Sequence, residues 1–228
     1  MVEVRLKTEL TRNSTMSLVT RKNILFPFVV FALFCHSVFA DDTSFRNAQL
    51  SYGISLDIPS HWTILSQDSR KNLRAAGQAM IDNAGLEGLS SRKESLLAVN
   101  AKPNPTGAII RVSITLPPDY TQNYLASLTR ENLKEMTIET LNIFRNLEAS
   151  GGLKVVELQP ARIEIIKNYR ALVISYVRAS NNSSSFWQVT QYKIPTHDKI
   201  IEITLSYRKP DAVVWKPILE RVKQSLRF

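Results

Sequence analysis

Residues 161–207, ARIEIIKNYRALVISYVRASNNSSSFWQVTQYKIPTHDKIIEITLSY, constrain the fold more than any other stretch of the chain. They read as consecutive antiparallel strands at 161–167, 170–178, 186–194 and 199–207, joined by turns at Asn168-Tyr169 and 195–198 and by the loop 181–185. In the second, ALVISYV, Leu172, Ile174 and Tyr176 point one way and Ala171, Val173 and Val177 the other, so both sides are apolar. A strand of that kind sits inside a sheet covered on both faces. The last strand alternates instead. Ile201, Ile203, Leu205 and Tyr207 face inward, and Glu202, Thr204 and Ser206 take the opposite side, the period of two that one buried face imposes.

The remaining segments read as additions to this sheet. Residues 48–52 and 54–58 alternate as two strands around Gly53, and Pro59, with no N–H for a ladder, ends the second. Residues 66–84 read as a helix capped by Ser66, Asp68 or Ser69, with Leu73, Ala76, Met80 and Ala84 as its apolar stripe and Gly85 as its stop. Strands follow at 95–101 and 108–116. In the latter, Ile110, Val112, Ile114 and Leu116 alternate with Arg111, Ser113 and Thr115. Asp119 with Gln122 resembles a capping box. Thr129 caps a longer helix, 130–149, with Leu133, Met136, Thr140, Ile143, Phe144 and Leu147 inward, and Gly151-Gly152 ends it. A strand at 154–157 leads into the central run. Asp211 can open a final helical turn, and the closing helix places Trp215, Ile218, Leu219, Val222 and Leu226 inward, with Pro217 at the first position of the helix proper. The fold class is α+β: an antiparallel sheet of about six strands covered by helices on both faces.

The first 40 residues read as a separate unit. Arg21 and Lys22 precede the apolar run ILFPFVVFALFC, which ends in SVFA before Asp41-Asp42. A basic flank, a short apolar run and a small residue at Ala40 are the marks of a secretory signal peptide cleaved after Ala40. The alternative is an uncleaved anchor, but a membrane span needs about 20 apolar residues and this run is shorter. Translation from Met1 or from Met16 leaves this reading unchanged. The expected organisation is a signal at 1–40 and one domain at 41–228, in the periplasm or secreted. The leader holds five basic and two acidic residues, so the remainder keeps 24 − 18 = +6 of the chain's +9. The single cysteine, Cys35, lies in the leader, which leaves the domain no disulfide and no thiol nucleophile. A domain of this size buries about 70% of its unfolded surface without such staples.

Motifs for chemistry are few. His61 and His197 stand at no metal-ligand spacing, and no cofactor or metal is expected. No GxSxG, GxGxxG or Gly-Lys-Ser/Thr follows a strand, and the carboxylate row Glu131, Glu135 and Glu139 reads as a solvated helix face. The expectation is therefore no enzyme. An unrecognised active site near Trp187 and His197 is the reading that expectation has to beat. Two places are candidates for recognition. The loop NNSSSFW offers Asn181, Phe186 and Trp187, one aromatic projecting as an anchor or both buried under the helices. The basic cluster Arg70, Lys71 and Arg74, with Arg92 and Lys93 nearby, forms the outer face of the first helix and suits an anionic membrane surface. Nucleic acid is not expected, because no basic surface interleaved with aromatics is visible.

The order of these pieces resembles the PsbP-like superfamily: an early YGISLDIPSHW, a long middle helix, the meander RALVISYV, FWQVTQYKI and KIIEITLSY, and a closing ILERVKQSLRF. That group includes photosystem accessory subunits, bacterial secreted or lipid-anchored domains of unknown role and a Ran-binding nuclear import factor. The resemblance implies an α/β/α sandwich and a role in binding rather than catalysis. It transfers no site residue, since no photosystem-binding segment matches and the leader contradicts an intracellular role. The functional expectation is a binding or accessory domain whose partner is an unknown protein of the cell envelope. N-terminal sequencing of the protein recovered from cells should begin at Asp41; an intact leader would replace export and cleavage by tethering.

Overall fold

The computed structural model of the chain describes residues 44–86, 92–101, 106–180 and 183–228. The leader 1–40 and Asn181 lie outside the described residues. The elements are β1 (Phe45–Gln49), β2 (Ser55–Pro59), β3 (Thr63–Ile64), α1 (Gln67–Asn83), β4 (Lys93–Asn100), β5 (Ala108–Thr115), α2 (Gln122–Ser127), α3 (Arg130–Ala149), β6 (Val155–Leu158), β7 (Arg162–Ile166), β8 (Tyr169–Ser180), β9 (Ser183–Pro195), β10 (Ile200–Arg208) and α4 (Ala212–Gln224). All strand pairs among the described residues are antiparallel. β3 to β10 form one eight-stranded sheet in the order β3-β4-β5-β10-β9-β8-β6, with β7 also on β8. β1 and β2 pair with each other separately.

Eight strands exceed the six expected because three are short pieces. β6 pairs with the 176–178 end of β8 and β7 with its 169–173 end, so they share one side of that strand. Pro160 lies between them and cannot donate to a ladder. β3 adds two residues at the other edge. The β7–β8 turn is Lys167-Asn168 rather than Asn168-Tyr169, with φ of 48° and 71°. Two positive φ values across a two-residue loop match the twist of the flanking strands.

The two faces of the sheet differ. On the core face Leu97 and Val99, then Ile110, Val112 and Ile114, then Ile201, Ile203 and Leu205 line up in register, continuing to Ile194 and Val173. α4 covers them with Leu219 and Val222, Leu226 follows just beyond it, and β2 adds Leu56 and Ile58 with Ile54 just before it, all buried. The chain end is tied in by Ser55 N–H to Arg227 O (2.9 Å) and Arg227 N–H to Ser55 O (2.8 Å). Fully burying each such aliphatic side chain stabilises by roughly 1.5–3 kcal/mol, so this face holds the fold together. On the helical face, α2 and α3 pack over β8 through Leu125, Leu133 and Met136 against Leu172, and Phe144 against Tyr176. β8 is therefore apolar on both sides, as its sequence requires. α3 nevertheless has no buried residue, so its stripe is half-covered rather than sunk in a core.

Two caps differ from expectation. Thr121, not Asp119, caps α2 by accepting from Tyr124 N–H (3.2 Å), and Asp119 pairs with Arg92. Gln122 turns to the sheet, accepting from Arg170 N–H (2.8 Å) and donating to the carbonyls of Arg170 (3.0 Å) and Pro195 (2.8 Å). Pro217 stands inside α4 rather than at its start, because the helix opens five residues earlier at Ala212. The carbonyl it leaves without a helical donor belongs to Val213, whose residue is 90% exposed. Trp215 packs edge-on to Trp62, ring centroids 5.7 Å apart, and lies over Gly107. A Cβ at Gly107 would sit 2.7 Å from Cζ2 of Trp215. Gly107→Ala should therefore lower stability by about 1–3 kcal/mol in urea denaturation; an unchanged midpoint would show that the two tryptophans do not fix this corner.

Candidate functional site: the cleft beneath α1

α1 is held over the polar half of the helical face. Ser66 caps it by accepting from Ser69 N–H (3.1 Å), and Gly85, at φ 66°, ends it. No residue of the helix is buried, and Leu73, expected inward, is 50% exposed. The face it turns to the sheet is Arg70, Leu73, Arg74, Gly77, Gln78 and Ile81, spaced by three and four as one helical face must be. Beneath it lie two rows of side chains set by strand register. One runs Ala98, Arg111, Thr204, Gln191, and the next Ser95, Ser113, Glu202, Lys193. Between helix and rows is a cleft of about 300 Å³, at the lower end of small-molecule sites.

The charges in this cleft are unequally satisfied. Glu202 is 8% exposed and flanked by Lys93, which donates to it, and by Lys193 at 3.9 Å. Burial pushes its carboxyl up, but the two lysines and the Lys93 hydrogen bond outweigh that and hold it below the ordinary value. Arg111 is different. Its guanidinium donates to the carbonyls of Val99 and Ile110 and to Asn100 Oδ1, each at 3.0 Å, and these acceptors are all neutral. Among the described residues no carboxylate lies within 4 Å of it, and burial pulls it down to about 10. Arg70 donates to Leu96 O, while its Nε is buried without an acceptor among the described residues. Glu94 lines an adjoining hollow that shares Arg70, Arg74 and Ser95 with the cleft, and it accepts from Tyr52 Oη (3.0 Å).

The structure brings three of the sequence candidates, Arg70, Arg74 and Lys93, into this cleft and leaves the rest apart. Arg70 and Arg74 both line the cleft, Arg70 half-buried and Arg74 exposed at its rim. Lys71 is exposed beside Asp68 (3.9 Å). The aromatic pair divides. Trp187 is 8% exposed, packed with Tyr176 and Val189 and topped by Arg178 at 5.3 Å, whereas Phe186 is 45% exposed. The loop before them is shorter than expected, since β8 runs to Ser180 and β9 begins at Ser183. Asn181 lies outside the described residues. Trp187 and His197 do not form a site. Nine residues lie between them, and the part of β9 between Trp187 and Pro195 alone spans about 26 Å at the rise of a strand. His197 is exposed on the turn beyond. Among the described residues no group of three His, Cys, Asp or Glu is placed to hold a metal, and no helix is long and apolar enough to cross a membrane. Arg111, Glu202 and Lys193 are the residues that sequence reasoning missed. Their polar positions were readable, but not that α1 would lie over them.

No family model and no curated protein matches the chain. Among solved structures it is similar to PsbP of the cyanobacterium Synechocystis, with TM-score 0.46 and 13% identity over 81% of this chain and 92% of that one. It is also similar to LpqN of Mycobacterium tuberculosis, described as involved in cell envelope biogenesis, with TM-score 0.43 and 11% identity over 82% and 92%. A Bacteroides thetaiotaomicron protein gives TM-score 0.40 and 12% identity over 76% of this chain, which spans 44% of that one. No site residue follows from these likenesses.

A carboxyl held below its unfolded value stabilises the fold above that value, and the contribution is lost as falling pH protonates it. Glu202→Gln should cost about 1.5–3 kcal/mol at neutral pH, and the difference from the native chain should shrink as pH falls below the ordinary glutamate value of 4.5. Urea denaturation at pH 7 and pH 3 measures this; a difference independent of pH would show that Glu202 is not the titrating group.

Proposed function

We propose that residues 41–228 form a non-catalytic binding domain of the cell envelope, periplasmic or secreted, and that it takes its ligand in the cleft beneath α1. The observation that carries the reading is the way α1 sits. A 17-residue helix covers the sheet without burying one residue, and it leaves a cleft lined by three arginines. α3, which buries no residue either, turns Leu133, Met136 and Phe144 to the apolar part of β8, whereas α1 turns Arg70 and Arg74 to a polar part of the sheet. The leader supports export, and the basic balance of the domain suits acidic ligands. A second reading, docking on anionic envelope lipid, retains Lys71 and Arg74, both exposed.

Gly77 faces the cleft, and a Cβ there meets nothing within 4 Å. Gly77→Phe would therefore fill the cleft while raising helix propensity. Native mass spectrometry of the protein purified from its own envelope should show a bound mass that the Gly77→Phe protein lacks; the same spectrum from both proteins would count against the cleft as the binding site.

A further inference from the structure

We infer that the cleft beneath α1 binds a single-chain amphiphilic anion. Arg111, Arg70 and Arg74 hold its carboxylate or phosphate head, and its apolar body lies along Leu73, Gly77 and Ile81. The inference rests on the cleft being the binding site and adds the class of ligand.

The charge balance points to an anion. Glu202, the carboxylate that lines the cleft among the described residues, is engaged by Lys93 and Lys193, and Glu94 in the adjoining hollow by the Tyr52 hydroxyl. Among the described residues the three arginines have no such partner. Arg111 bonds only neutral acceptors, Arg70 keeps a buried Nε without an acceptor, and Arg74 makes no ion pair among the described residues. A desolvated guanidinium without a counter-ion is costly, and its planar fork suits a carboxylate or a phosphate. Arg70 and Arg74 are four apart on α1 and so project side by side.

The apolar body follows from the rest of the lining. Beyond Arg74 the same helix face offers Gly77 and Ile81, with Leu73 alongside and Ala98 across on β4. Residues 74 to 81 span about 10 Å along the helix axis. The open space at Gly77 lets a chain approach the α1 backbone. The volume, about 300 Å³, is twice the roughly 150 Å³ that holds a benzene ring, enough for a short acyl or alkyl chain. Leu73, half exposed as the structure stands, would be covered by such a chain.

The test is calorimetric titration of the mature protein with octanoate, octyl phosphate, octanol and inorganic phosphate, and with phosphatidylglycerol vesicles as a separate arm. The octyl anions should bind at least ten times more tightly than octanol or inorganic phosphate. Arg74→Ala, at an exposed residue that no fold contact needs, should weaken them ten-fold or more, and Gly77→Phe should abolish binding. Arg111→Lys should weaken them similarly, and a thermal melt will tell loss of binding from loss of fold. Octanol binding as tightly as octanoate would overturn the anion reading, and inorganic phosphate binding as tightly would overturn the apolar body. If no octyl probe binds while Gly77→Phe still strips the native ligand, the ligand class falls and the binding site stands. Vesicle binding that Gly77→Phe leaves intact, with no probe bound, would replace both by docking at the surface.

Discussion

The two-sidedness of β5 and β10 governs this molecule. Each carries a continuous aliphatic ladder on one face, and on the other a polar series that includes Arg111, Ser113, Glu202 and Thr204. Water is excluded from the first by α4 and β2, and that burial supplies the main driving force for folding. The second cannot be covered in the same way, because a helix pressed onto Glu202 and Arg111 would have to desolvate them further. Lys93 and Lys193 compensate Glu202, but among the described residues Arg111 has only carbonyls and an amide. α2 and α3 therefore settle over the apolar part of β8, and α1 is left standing off the polar part. The cleft is the space that this division leaves.

Much of this was legible in the sequence. The two-faced apolarity of β8, the Thr129 cap and full extent of α3, the Ser66 cap of α1 and the Leu219-Val222-Leu226 stripe are local patterns, and the structure keeps them. What failed depended on partners distant in the chain. Asp119 lost its role to Thr121 because Arg92 draws it away, and Gln122 is used by the β8 and β9 ends instead of by its own helix. Pro217 marked no helix start, since an exposed first turn tolerates the carbonyl it leaves free.

The site was hidden for a different reason. Periodicity separates the two faces of a strand but does not say what lies over the polar one, so Glu202, Thr204, Arg111 and Ser113 read as solvated. On α1 the choice was between two overlapping stripes. Leu73-Ala76-Met80-Ala84 is the more apolar, yet the sheet receives Arg70-Leu73-Arg74-Gly77-Ile81. Arginines at i and i+4 resemble a surface pair, and only the polar rows beneath make that face the complementary one. A signal was available in register. Pairing β5 with β10 in phase with their aliphatic ladders places Arg111 beside Thr204 and Ser113 beside Glu202, away from the ladder side chains.

Arg70 has one more consequence. By donating to Leu96 O it occupies a carbonyl on the outer side of β4, where Leu65 N–H also takes Ala98 O (2.8 Å) and β3 covers only the last two residues. At the opposite margin the rail along β8 is cut at Pro160 into pieces of four and five residues. A sheet with free, unbroken borders is a template for strands from other chains. Here neither border offers a long unbroken run, so an eight-stranded sheet is protected from edge-to-edge growth by a side chain at one end and a proline at the other.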